Sequence, residues 1–114
     1  MAEQEFNPVQ EGQRIAHEYL SKRGWALEWR RTVNSQLYPG FQREEFEAKQ
    51  KQCDQMEEDA EALFSREVER WRRDPSPQAR QVLETIVAVV GKRLDLGFFA
   101  KRIIDRLKRD LGPL

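Results

Sequence analysis

One histidine, His17, and one cysteine, Cys53, are all the imidazole and thiol this 114-residue chain holds. A zinc site draws on about four such ligands, so none can be assembled from this chain alone. A di-iron bundle needs Glu-x-x-His on facing helices, and that pattern is missing too. A single cysteine excludes an intramolecular disulfide. No glycine-rich phosphate loop occurs, and no oxyanion-type glycines lie beside His17, Cys53 or any serine. These absences point away from catalysis and away from any bound cofactor.

Long apolar runs are also missing. The longest, Ile86–Val90, is far too short to span a bilayer. The opening residues, polar up to Asn7-Pro8, do not read as a secretory signal. A reducing, cytoplasmic setting is the expectation. Net charge is absent as well, with 20 basic against 20 acidic residues, which weakens any whole-molecule claim on nucleic acid or membrane. The distribution is uneven, however. Residues 46–75 carry six basic and nine acidic residues, whereas residues 76–114 carry eight and four.

What the chain has in plenty is charge, 35% of residues, against about 25% in ordinary domains. Six Phe, three Trp and two Tyr still demand burial. That combination predicts an all-α protein of about four helices, one of them long, packed as an open bundle or hairpin. Residues 1–8 read as a flexible lead and residues 9–114 as one helical domain.

The first helix is predicted over Val9–Arg23, with Ile15, Ala16, Tyr19 and Leu20 at helical spacing. Gly24 after Lys22-Arg23 has the look of a helix-ending residue. Residues 25–33 fit two patterns. As a strand they align Trp25, Leu27, Trp29 and Val33, giving an α+β alternative. As a helix they align Ala26, Trp29, Val33 and Leu37, and this is preferred because a lone strand has no partner. Tyr38-Pro39-Gly40 breaks the chain.

The long helix is predicted over Gln42–Arg73. Phe46, Cys53, Ala60, Phe64, Val68 and Trp71 form its apolar arc. That stripe is longer than two short neighbours can cover, so an antiparallel homodimer is expected to bury it. Ser76 is placed as an N-cap with Pro77 behind it. The third helix is predicted over 77–94 as the central one, and Asp95-Leu96-Gly97 forms a turn. The fourth, over 98–111, sets Phe99, Ile103, Leu107 and Leu111 against Lys101, Arg102, Arg106, Lys108 and Arg109.

Three surfaces follow. Phe46, Phe64, Trp71, Phe99, Ile103, Leu107 and Leu111 are candidate apolar contacts for a partner protein. Asp54, Glu57, Glu58 and Glu61 form a candidate acidic docking face, since like charges at i,i+4 repel unless a partner answers them. The five cations of the last helix are candidate phosphate contacts, although that helix has no Asn, Gln or Ser to read base edges. The leading reading is a non-catalytic protein-interaction or assembly protein, an adaptor working through amphipathic helices. Its terminal helix is free to swing out into a groove. The alternative is a small helical subunit gripping the phosphate backbone of nucleic acid.

Overall fold

The computed structural model describes residues 6–35, 42–93 and 98–112. These residues form four helices and no strand: α1 (Pro8–Ser35), α2 (Arg43–Arg72), α3 (Pro77–Val90) and α4 (Phe98–Leu111). The all-α reading holds, and the strand alternative for 25–33 falls. The predicted breaks at Tyr38-Pro39-Gly40 and Asp95-Leu96-Gly97 lie outside the described residues, as do Leu37 and Leu94.

Local chemistry sets the helix ends. The Asn7 side-chain oxygen accepts from the backbone N–H groups of Val9 (3.0 Å) and Gln10 (3.2 Å), and Pro8 takes the first helical position. Ser76 caps α3 in the expected way, its Oγ accepting from Ala79 N–H at 3.1 Å. Gly112, at φ 75°, closes α4 through its N–H to Lys108 C=O. This left-handed conformation favours glycine.

Gly24 does not end a helix. α1 runs through it for 28 residues. An interior glycine costs about 1 kcal/mol, and packing against α2 on both sides of it offsets that. The two helices form an antiparallel hairpin in which residue numbers rise along one as they fall along the other. Phe6 stacks on Trp71 (5.5 Å between centroids), Tyr19 on Phe64 (4.3 Å), Arg30 meets Glu57 (3.1 Å) and Gln50 meets Asn34 (2.6 Å).

α3 lies across the N-terminal half of this hairpin and reaches α1, α2 and α4. Its approach to α1 is very close. A Cβ added at Gly12 would stand 2.6 Å from Thr85 Cβ and 2.7 Å from the Val82 carbonyl oxygen. α4 runs antiparallel to α3, the Arg80 guanidinium donating to Leu111 C=O at 2.5 Å. It runs parallel to α2, with Arg72 and Asp110 paired at 2.7 Å. α3 ends at Val90 rather than residue 94, its last turn capped by Gly91 N–H to Val87 C=O.

Lengths decide the shape. At 1.5 Å per residue α2 extends about 45 Å, whereas α3 and α4 extend about 21 Å each. The main core gathers Ile15, Ala16 and Tyr19 of α1, Ala60, Phe64 and Val68 of α2, most of the apolar face of α3, and Ala100, Ile104, Leu107 and Leu111 of α4. Ala26, Val33 and Cys53 are fully buried yet stand apart from it. They seal a two-helix arm, α1 beyond Gly24 against α2 up to and including Glu61, which projects from a four-helix head. The radius of gyration is 17.6 Å, against about 13 Å for a compact chain of this length.

Candidate docking surface

α4 has two unlike faces. Ala100, Ile104, Leu107 and Leu111 are buried in the head, so this helix closes the core of its own chain. It does not swing free as expected. Those residues already have intramolecular neighbours, and releasing them would return apolar surface to water. Of the predicted apolar contacts, Leu107, Leu111 and Phe64 are therefore occupied within the chain. Phe46, Trp71 and Ile103 are half-buried, and Phe99 is 37% exposed.

The stripe that was expected to need a second subunit is also covered. Cys53, Ala60, Phe64 and Val68 are all buried within the chain, and α1, continuing through Gly24, runs alongside most of α2. Trp71 is flanked by the Phe6 ring and by the Arg70 guanidinium, 5.5 Å from its centroid.

The outer face of α4 stays open. Lys101, Arg102, Arg106, Lys108 and Arg109 are all exposed. Lys101, Arg106, Lys108 and Arg109 form no ion pair among the described residues. Where α4 meets α2, a groove of about 550 Å³ opens, its floor made by Phe99, Ile103 and Ser65 and its rim by Arg102, Arg106 and Arg109. Asp105 is the one carboxylate in its lining. A second cleft, of about 680 Å³, lies at the α2–α3 turn. Its two arginines are already engaged, Arg72 by Glu69 and Asp110, Arg80 by Glu84 and Leu111 C=O.

The acidic face is partly consumed within the hairpin. Arg30 of α1 donates to Asp54 (2.5 Å), Glu57 (3.1 Å) and Gln50 (2.8 Å). These carboxylates hold its guanidinium even more firmly protonated than usual, Asp54 first. Arg30 is thus the clasp of the arm, a role that the sequence alone did not assign it. Only the register between two helices could have shown it. Glu58 is exposed, and Glu61 is half-buried. Burial, then repulsion from Glu57 and Glu58 against the pull of Arg23, raises the Glu61 carboxyl above its usual range.

Trp25 was also missed as a surface residue. It is 70% exposed on the arm, in the turn of α1 that follows Gly24. His17 is exposed on α1 and Cys53 is fully buried on the arm, so the chain's one imidazole and one thiol do not meet as nucleophile and base. Among the described residues no three His, Cys, Asp or Glu side chains converge on a metal-sized space, and no helix is long and apolar enough to cross a membrane. Comparison with protein-family models, characterised proteins and solved structures finds no match.

Proposed function

We propose that this chain is a non-catalytic interaction or assembly protein, an adaptor of the cytoplasm, that receives a partner protein on the outer face of α4. One observation carries this reading. An amphipathic helix anchored by its apolar face presents a groove with an aromatic and aliphatic floor and a triple-arginine rim. Arginine and aromatic side chains around a desolvated centre are the usual anchors of protein interfaces. In a reducing compartment the buried thiol of Cys53 stays reduced.

A second reading draws on the same cations. Exposed Lys101, Arg102, Arg106, Lys108 and Arg109 suit the phosphate backbone of nucleic acid. The apolar floor beside them favours protein, because phosphate has no use for Phe99 or Ile103.

A photo-crosslinking amino acid in place of Phe99, activated in living cells, separates the two. The expected product is one discrete protein adduct that disappears when Arg106 and Arg109 are changed to Glu. Adducts with RNA or DNA would select the second reading. No adduct from a folded chain would refute both.

A further inference from the structure

We infer that the partner on α4 is a second copy of this chain, whose acidic arm lies along the basic outer face of α4. The inference rests on the reading of α4 as a docking element and adds the identity of what docks.

The chain is neutral as a whole but divided along its length. Within the arm, residues 25–35 and 42–61 carry five basic and nine acidic side chains. Within the head, residues 6–24, 62–93 and 98–112 carry fifteen and eight. Two such molecules attract most when each arm faces the other's head. An antiparallel, two-fold pair satisfies this at both ends with one kind of contact.

The arm offers a matching surface. Glu44, Glu47, Asp54, Glu58 and Glu61 recur on α2 at intervals of three and four, interrupted only by Lys51 in the same series. That spacing places them along one side of the helix. The next step of the series is Ser65, which lines the groove where α4 meets α2. In its own chain α4 thus covers this side of α2 from Ser65 onward. Ahead of Ser65 the side continues along the arm as carboxylates, of which Asp54 is held by Arg30 and Glu47 by Arg43. Glu44 and Glu58 are exposed and form no ion pair among the described residues. From Glu44 to Glu61 the series extends about 26 Å, enough to lie along the 21 Å or so of α4.

Opposed charges of this kind set register and orientation, and their attraction weakens as salt rises. Sedimentation velocity of the full chain at tens of micromolar tests the pairing. A dimer is expected at low salt and a monomer at high salt. Arg106→Glu with Arg109→Glu should yield a monomer, and so should Glu44→Arg with Glu58→Arg, each weakening association by about tenfold or more. An equimolar mixture of the two variants should restore the pair, because each altered surface then meets its complement. A wild-type monomer at low salt, or a mixture that stays monomeric while circular dichroism shows both variants folded, overturns the inference. If the Phe99 crosslinker captures a different protein, the docking reading stands and the second copy is ruled out.

Discussion

Gly12 and Gly24 lie in one helix and should respond to alanine with opposite signs. At Gly24 nothing stands within 4 Å of an added Cβ. Replacing it removes the backbone-entropy cost of an interior glycine, a gain of about 1 kcal/mol. At Gly12 the same propensity gain is available, but the methyl would meet Thr85 Cβ at 2.6 Å and Val82 O at 2.7 Å. Both belong to α3, and a carbonyl within a helix cannot rotate aside. α1 and α3 must therefore separate along their contact, and overpacking of this kind costs about 1–3 kcal/mol, to which the loosened packing of Ile15 and Ile86 adds. The net loss is up to about 2 kcal/mol after the propensity gain. At about 4 °C per kcal/mol for this chain length, Gly24→Ala should raise the midpoint by about 4 °C and Gly12→Ala lower it by up to about 8 °C. Thermal unfolding followed by far-UV circular dichroism measures both. Equal rises in the two variants would refute the close approach of α1 and α3.

Truncation after Arg93 removes the burial of Ile104, Leu107 and Leu111, about 6 kcal/mol together, which rivals the whole stability of an ordinary domain. The shortened chain should lose its cooperative thermal transition; a stable, cooperatively melting product would show that α4 is dispensable to the core. Native-state hydrogen exchange should be faster for arm amides around Ala26–Val33 and Gln50–Met56 than for those of Ala79–Val90, because the arm is sealed by far fewer apolar side chains. Uniform protection would contradict that division. Glu61 is raised above its usual range by burial and by Glu57, so folding favours its neutral form and stability falls as pH rises through that value. Glu61→Gln should gain about 0.5 kcal/mol at neutral pH and nothing well below the carboxylate range, where both side chains are uncharged. An equal gain in urea midpoint at both pH values would refute the electrostatic cause.

The helix faces were legible because burial imposes a 3.6-residue period. Cys53, Ala60, Phe64 and Val68 on α2, and Leu107 and Leu111 on α4, are buried as their spacing required. Ser76-Pro77 was legible because capping chemistry is local. Gly24 misled because a glycine after two basic residues has the composition of a helix end. Only the unbroken match of α1 to α2 overrides it. That error hid the length of α1 and made the α2 stripe look uncovered. Periodicity also shows which side of a helix is apolar without showing what covers it. Phe99 and Leu107 therefore looked equivalent, although one lines an open groove and the other lies in the core. The Arg30 clasp depended on interhelical register, which no single helix contains.

Small-angle X-ray scattering of the full chain at high salt, where charge-driven pairing is screened, tests most directly the acidic arm projecting from a basic head. The structure gives a radius of gyration of 17.6 Å and a longest extent of 58 Å, and the solution value should lie near 18 Å. A value near 13 Å, that of a compact bundle of this length, would mean that the arm is folded back onto the head. The acidic series on α2 would then be unavailable to a second copy.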